Sequence, residues 1–226
     1  MVESGNLWYL EESDLFDILC PRKTPGMENQ HIPSVYQKDD FIYFPEDASK
    51  QIYMISNGRV KIGTYTDDGK EIVKAILTKG EIFGELALAG EEVRSDFAQA
   101  MDNDTRICCM SIDDLKHLMK DNQELSFKIL RIVGWRLRKM ERKIESLVFK
   151  DARTRIVEFL KDTALERGQK VGFEMMIKNH LTHKDIASLT GTSRQTVTTV
   201  MNELREKNLI NFDRRRILIR DMEKLA

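Results

Sequence analysis

Six apolar residues, Leu130, Val133, Leu137, Met140, Ile144 and Leu147, follow one another at intervals of 3, 4, 3, 4 and 3, and this seam restricts the fold more than any other feature of the chain. Arg136, Arg138, Lys139, Glu141, Arg142, Lys143 and Glu145 fill the positions between them. The spacing predicts a long amphipathic helix with two apolar positions per heptad. A helix lying on a globular core usually carries a third, so the narrow stripe predicts pairing with a second helix, in a parallel homodimer. Packing of the seam on the chain's own barrel is the alternative.

The two sides of this helix read differently. Upstream, Phe41-Ile42-Tyr43-Phe44, Gln51 to Ile55, Arg59 to Tyr65 and Ile72 to Leu77 are rich in β-branched and aromatic residues. Pro45-Glu46-Asp47, Ser56-Asn57-Gly58, Thr66-Asp67-Asp68-Gly69 and Lys79-Gly80 separate them with turn chemistry. Evenly spaced short strands of this kind predict an antiparallel barrel or jelly roll, with an open sandwich as the alternative. A short helix is expected ahead of them, over Ser13 to Leu19. Downstream come a helix from Arg153 to Leu165, one short strand around Val171 to Ile177, two helices and a terminal hairpin. The hairpin strands are Leu209 to Phe212 and Ile217 to Ile219, turning through Asp213-Arg214-Arg215-Arg216, an order that predicts a winged helix. The fold class is therefore α+β: an N-terminal jelly roll over residues 1–122, a dimerisation helix over 123–149 and a winged helix-turn-helix over 150–226.

Charge divides along the same lines. Residues 1–122 carry 13 Lys/Arg against 23 Asp/Glu, residues 123–149 carry 7 against 3, and residues 150–226 carry 16 against 11. The near-neutral whole hides an acidic half joined to a basic third, the polarity of a polyanion-binding module attached to a non-binding one.

The C-terminal motif runs from Leu181 to Leu204. Thr182 and Asp185 have the spacing of a capping box, Ser193 is a good N-cap for the next helix, and Gly191 supplies the turn between them. Ile186, Leu189, Val197, Val200, Met201 and Leu204 form a small core, and Ala187 lets the helices approach, which matches a helix-turn-helix. The second helix then leads with Arg194, Gln195 and Thr196 and continues through Thr198 and Thr199, polar side chains at the end that enters a major groove. Arg pairs bidentately with guanine, Gln with adenine, and the Thr methyl meets the thymine methyl. Arg214, Arg215 and Arg216 on the wing, with the cap residues Thr182 and Ser193, complete the expected DNA contacts.

The second motif is Gly80-Glu81-Ile82-Phe83-Gly84-Glu85-Leu86-Ala87-Leu88-Ala89-Gly90-Glu91-Glu92-Val93-Arg94-Ser95. It resembles the phosphate-binding cassette of cyclic-nucleotide-binding domains, Phe-Gly-Glu-Leu-Ala-Leu followed by Arg-Ser or Arg-Ala. With the helix-turn-helix downstream, nearly the whole chain resembles a bacterial transcription regulator of the CRP/FNR family. The resemblance implies an effector site at Gly84, Glu85, Leu86, Ala87, Arg94 and Ser95: Glu85 on the ribose, Arg94 on the phosphate, and Ser95 with the amides near Leu86 and Ala87 as supporting donors. Pairing of Arg94 with Glu85 in place of a ligand stands as the alternative. The ligand implied is a cyclic nucleotide or another small anionic effector, with no cofactor certain.

The chain departs from the family pattern in several places. Asp96 follows Arg94-Ser95 where nucleotide-binding members carry a small neutral residue, a carboxylate that would repel a phosphate. Met140 and Glu141 stand where cAMP-responsive members place hydroxyls against adenine. Iron-sulfur sensing of the FNR type needs four cysteines, and the chain has three, Cys20, Cys108 and Cys109. In the recognition helix Gln195 replaces an expected Glu and Thr199 an expected Arg, so operator preference differs.

The cysteine count predicts neither a disulfide framework nor a metal quartet, and with no leader or membrane-length apolar run it implies a reducing, cytoplasmic setting. His180 and His183 are spaced i, i+3 without a further ligand, so no metal is expected. No nucleophile elbow or Walker-type run is present, and an enzyme is not indicated. The expected partners are double-stranded DNA with a palindromic operator, a second copy of the chain and, for an activator, RNA polymerase, with no membrane. A regulatory module acting on a protein partner is the alternative, and the basic helix-turn-helix argues against it.

Overall fold

A computed structural model of the chain describes residues 33–178, 181–213 and 215–225. The expected helix over 13–19, Cys20, His31, His180 and Arg214 lie outside these residues. The chain divides into two compact units, residues 1–132 and 133–226.

In the first unit the four expected segments become strands and four more join them: β1 (Ser34–Tyr36), β2 (Phe41–Tyr43), β3 (Gln51–Asn57), β4 (Arg59–Tyr65), β5 (Glu71–Thr78), β6 (Ile82–Phe83), β7 (Phe97–Ala100) and β8 (Thr105–Ser111). They form two four-stranded antiparallel sheets, ordered β1-β8-β3-β6 and β2-β7-β4-β5. Period-2 alternation explains how one strand serves two cores. On β3, Ile55 joins Tyr43, Val60, Ile62, Leu77, Phe83, Ala98 and Ile107 in one cluster, with Tyr53 packed against it. Ile52 and Met54 point to the other face, where Cys108, Met110, Leu115, Leu125 and Ile129 cover them. The covering residues come partly from α1 (Ile112–Asp121) and the first turns of α2 (Gln123–Phe149). Because β3 and β8 are buried on both faces in their middles, each carries an unbroken run of four residues without a charged or amide side chain, Ile52 to Ile55 and Ile107 to Met110, with polar residues at the strand ends.

Cys108 and Cys109 project to opposite sides of β8 as the alternation requires. Cys108 is buried and disulfide-bonded, whereas Cys109 is a free, half-buried thiol. This corrects the expectation of cysteines without a disulfide, because an odd count still leaves room for one pair.

Helix α2 carries the heptad seam. Leu125 and Ile129 near its start are buried in the first unit, but Leu130, Val133, Leu137, Met140, Ile144 and Leu147 are 42% to 64% exposed. Among the described residues no helix is long and apolar enough to cross a membrane.

The second unit contains α3 (Ala152–Arg167), β9 (Gln169–Val171), β10 (Glu174–Lys178), α4 (His183–Thr190), α5 (Arg194–Glu206), β11 (Ile210–Phe212) and β12 (Arg216–Ile219). The strands form one antiparallel sheet ordered β11-β12-β10-β9. Where the sequence predicts a single strand over 171–177 there is a hairpin, β9 pairing with β10 around a turn at Gly172 and Phe173. Its first strand, Gln-Lys-Val, is exposed throughout and so carries no apolar alternation for a sequence pattern to register. Ile156, Val157 and Leu160 of α3, Ile186 and Ala187 of α4, and Val197, Val200, Met201 and Leu204 of α5 pack with Ile177, Ile210, Ile217 and Ile219 into one core.

The α4–α5 turn is built by local chemistry and then clamped from a distance. Thr182 and Asp185 form the capping box, with Asp185 N–H donating to Thr182 Oγ1 at 3.2 Å and Thr182 N–H to Asp185 Oδ2 at 2.8 Å. Gly191 ends α4 in the left-handed region at φ 64°, which glycine adopts without the Cβ penalty, and Thr192 N–H returns to Ala187 O at 2.9 Å. The clamp is Arg155 of α3. Its Nε donates to Thr190 O at 2.9 Å, its Nη2 to Gly191 O at 3.0 Å and its Nη1 to Lys150 O at 2.8 Å. A cation at a helix C-terminus also meets the negative end of the macrodipole. Arg155→Met keeps the apolar stem and deletes the donors. It is expected to lower the unfolding free energy by roughly 1.5 to 3 kcal/mol, the scale of hydrogen bonds to a charged group. Urea denaturation checks this, and an unchanged midpoint would show that water serves those carbonyls equally well.

Candidate functional site: the recognition helix and the cassette

The first cluster of predicted site residues lies at the start of α5. Ser193 caps the helix, its Oγ accepting from Thr196 N–H at 3.0 Å, while its hydroxyl and that of Thr196 lie 2.8 Å apart. Arg194, Gln195 and Thr199 are exposed. Val197, Val200, Met201 and Leu204 turn inward to the core. Period 3.6 thus separates a buried face from a polar one. Ser193, Gln195, Thr196 and Thr199, with Val200, line a shallow open depression.

Thr198 differs from its neighbours. Its hydroxyl donates to Arg194 O at 2.9 Å and lies 2.8 Å from His183 Nδ1, so it ties α5 to the start of α4 instead of projecting freely. His183 is held below the usual imidazole range by burial, with the nearby positive Arg194 adding to it. Sequence inspection did not link His183 with Thr198, because the pair lies fifteen residues apart on two helices.

On the wing, Asp213 organises the turn. Its Oδ1 accepts from Arg215 N–H at 2.7 Å and Arg216 N–H at 3.0 Å, and its Oδ2 from Arg216 Nε at 3.0 Å. These bonds, the Arg215 amide first, hold its carboxyl below the ordinary range. Arg216 is therefore engaged within the turn, while the exposed Arg215 stands at its tip. Arg214 lies outside the described residues. Thr182 is exposed and its hydroxyl belongs to the capping box.

The second cluster is the cassette. Gly84 adopts φ 78° and opens a 3-10 turn over Glu85–Ala89. Glycine is required twice over there, since a Cβ would also stand 3.0 Å from both Arg94 Nη2 and Gln51 O. Glu85 is half-buried, Leu86 exposed, and the Ala87 amide donates to Gly84 O at 3.3 Å within the turn.

Arg94 is 3% exposed. Its Nη1 donates to Gly84 O at 3.1 Å and meets Glu91 Oε2 at 3.5 Å, and its Nη2 donates to Gln51 O. The guanidinium carbon lies 4.7 Å from the Tyr43 ring centroid and 5.7 Å from that of Tyr53. The Nε atom is buried without a hydrogen-bond partner among the described residues. Ser95 Oγ donates to Glu91 Oε1 at 3.1 Å, and Ser49 Oγ donates to Glu91 Oε2 at 3.0 Å.

Asp96 faces a different set of partners. It accepts from the Tyr43 hydroxyl at 3.1 Å and from Lys74 Nζ at 3.5 Å. Burial raises its carboxyl above the usual range against the opposing pull of Lys74, and burial together with Asp96 drives the Tyr43 phenol far up. Ser49, Tyr43, Tyr53 and Glu91 escaped the sequence reading. Ser49, Tyr43 and Tyr53 lie over 40 residues from Arg94, and Glu91 is one of many loop carboxylates.

Comparison with known proteins bears on both clusters. Residues 33–122 match the cyclic nucleotide-binding domain and residues 154–226 the Crp-like helix-turn-helix domain. The CRP-like cAMP-activated global transcriptional regulator of Mycobacterium tuberculosis is 27% identical over 217 residues, 96% of each chain. The global nitrogen regulator of Nostoc sp. is 29% identical over 189 residues, 83% of this chain and 85% of that one. Among solved structures, a CooA variant from Carboxydothermus hydrogenoformans superposes with a TM-score of 0.78 at 28% identity, covering 93% of both chains. FixK2 from Bradyrhizobium japonicum shares the fold at 21% identity, with a TM-score of 0.75 over 86% of this chain and 95% of its own. Carrying the two domains in this order, and aligned with such regulators along most of its length, the chain belongs to the CRP/FNR family of transcription regulators.

Proposed function

We propose that this regulator works as a homodimer, reads a palindromic operator with α5, and takes a small anionic effector at the cassette of its barrel. The observation that carries the DNA reading is the division of α5: four apolar residues buried in the core, with Arg194, Gln195 and Thr199 exposed behind a Ser193 cap. A helix so divided presents its N-terminal polar residues to base edges when it lies in a major groove.

Roles follow from chemistry. Arg194 reaches the O6 and N7 edge of guanine, and Gln195 pairs with the N6 and N7 edge of adenine. Thr199 offers a methyl to thymine and Thr196 stands beside it. Thr198, tied to His183, fixes α5 against α4. Ser193 and Thr182 lie at helix starts suited to backbone phosphates. Arg215 meets a phosphate from the wing tip, with Arg214 and Arg216 beside it. A regulator that activates transcription at such a site has RNA polymerase as a further partner.

The exposed seam supports the dimer, since six large apolar side chains in one stripe on a charged helix mark a surface for association. The effector reading rests on Arg94, Ser95 and Ser49, a buried guanidinium and two hydroxyls that together suit an anion. The M. tuberculosis relative is named as cAMP-activated, which supports a small-molecule effector here, and the Nostoc relative is named as a nitrogen regulator, so the relatives do not choose which one.

Binding-site selection with the full chain tests the DNA reading, and recovery of inverted half-sites is expected. Failure to enrich any sequence overturns it. Leu137→Asp is expected to give monomers by light scattering and to abolish tight operator binding, because half-sites about 34 Å apart need both subunits. A monomeric unmutated chain sinks the dimer.

The two arginines separate base reading from backbone holding. Arg194→Ala is expected to cost roughly 1 to 3 kcal/mol per half-site and to relax preference at one base pair in each. Arg215→Ala should weaken all sequences about equally and reduce the salt slope by about one unit. Titrations on operator and scrambled duplexes at several salt concentrations distinguish these outcomes; a uniform loss for Arg194→Ala refutes its assigned role.

A further inference from the structure

The donors expected to hold an effector's anionic group already hold a carboxylate of the chain itself. Glu91 accepts from Ser49 Oγ at 3.0 Å and Ser95 Oγ at 3.1 Å, and its Oε2 stands 3.5 Å from Arg94 Nη1. These donors converge on one side chain from two loops of the barrel: Ser49 from the loop after β2, 42 residues away in sequence, and Arg94 and Ser95 from Glu91's own loop before β7, the guanidinium with 2% of its side chain exposed. An exposed loop carboxylate gathers no such set by chance orientation, and Glu91 is itself largely covered, at 16% side-chain exposure.

We propose that Glu91 is an internal occupant of the anion site, and that an anionic effector binds by displacing its carboxylate from Ser49, Ser95 and Arg94. This rests on the effector reading given above and adds its regulation. Two anions on one buried guanidinium repel strongly where water does not screen them, so Glu91 and a phosphate exclude each other. The Asp96 carboxylate, which the sequence marked as the group opposed to a phosphate, is instead bound to Tyr43 and Lys74.

Two features make the exchange feasible. Glu91 lies outside the strands and helices, just beyond the Gly90 cap of the 3-10 turn, so its side chain can rotate away without breaking a ladder. Arg94 Nε is a buried donor without a partner among the described residues, which costs free energy as long as it is unpaired. A phosphate offers several acceptor oxygens to the same guanidinium and can engage Nε as well as Nη1, whereas Glu91 engages only Nη1. The incoming ligand therefore gains a hydrogen bond that the resident carboxylate does not make.

Calorimetry on the full chain, with cyclic AMP and inorganic phosphate as separate probes, tests the exchange. Glu91→Gln keeps the shape and removes the competing charge, and it is expected to bind at least one probe about tenfold or more tighter than the unmutated chain, a difference of about 1.4 kcal/mol. Glu91→Asp, one methylene shorter and drawn back from the two serines, is expected to fall between them. Adding Arg94→Ala to Glu91→Gln should abolish the gain. Thermal melts establish that each variant is folded, and Glu91→Asp decides alone should Glu91→Gln not fold. Equal affinity of all folded forms for a probe overturns the internal occupant and leaves the effector reading standing; absence of binding of either probe to any form overturns both.

Discussion

A guanidinium buried to 3% exposure constrains everything around it in the barrel. Removing an ion from water costs several kcal/mol unless hydrogen bonds and counter-charge replace hydration. Arg94 recovers this from the main-chain carbonyls of Gly84 and Gln51, the Glu91 carboxylate and the faces of two tyrosines. Each partner then constrains its own element. Gly84 must remain glycine because a Cβ there would crowd the guanidinium at 3.0 Å, and Gln51 must open β3 where its carbonyl can be shared. Tyr43 carries the chain of contacts onward to Asp96 and Lys74, one on each side of the β7 entrance and the β5 strand. The cassette is thus a polar network set into an otherwise apolar barrel, and such networks fix geometry because a half-satisfied one is costly.

The DNA-binding unit is governed differently. Its signals are short-range: a capping box within four residues, a left-handed glycine at the turn, a Ser cap and period-3.6 apolar positions. Such signals act before tertiary structure exists, which is why Thr182, Asp185, Gly191, Ser193 and the core residues Ile186, Val197, Val200, Met201 and Leu204 were legible in the sequence, although the expected Leu189 is only half-buried and outside that core. Arg155 was not, since its three acceptors lie up to 36 residues away and nothing in Arg-Thr-Arg distinguishes a clamp from a solvated cation. Thr198 was misjudged as a free surface hydroxyl for the same reason: His183 reaches it only after α4 and α5 have crossed. The β9 strand escaped because all three of its residues are exposed.

The barrel was legible as alternation and turns over β2 to β5, which emerged close to their expected bounds, while β1, β6, β7 and β8 had been given none. Its site was legible only through resemblance, and there the roles of the side chains diverge from a pattern of letters. The motif locates Arg94 and Ser95 but says nothing of Ser49, on another loop, or of which nearby carboxylate faces them. Asp96 drew attention through its adjacency in sequence, whereas Glu91 stands on the donors through its position in space. Sequence adjacency to an arginine is a poor guide to contact when the chain is extended, because neighbouring side chains leave on opposite faces.

Symmetry links the exposed seam to the reading helix without reference to how the two units sit. Parallel pairing of identical α2 helices generates a two-fold axis, and every residue of one subunit then has a mate related by that axis. An operator bound by both subunits must therefore consist of inverted half-sites. In the proposed dimer each base contact would be made twice, so a substitution such as Arg194→Ala would count once per half-site and its cost on a full operator would be up to double that on one half, provided that the halves act independently. In the proposed dimer a seam residue would be counted differently: Leu137 would face its own mate across the axis, and Asp there would set two carboxylates against each other in place of a pair of leucines. In that dimer a single change in the seam would remove both half-sites from cooperative reading at once, while a single change on α5 would only weaken them in parallel.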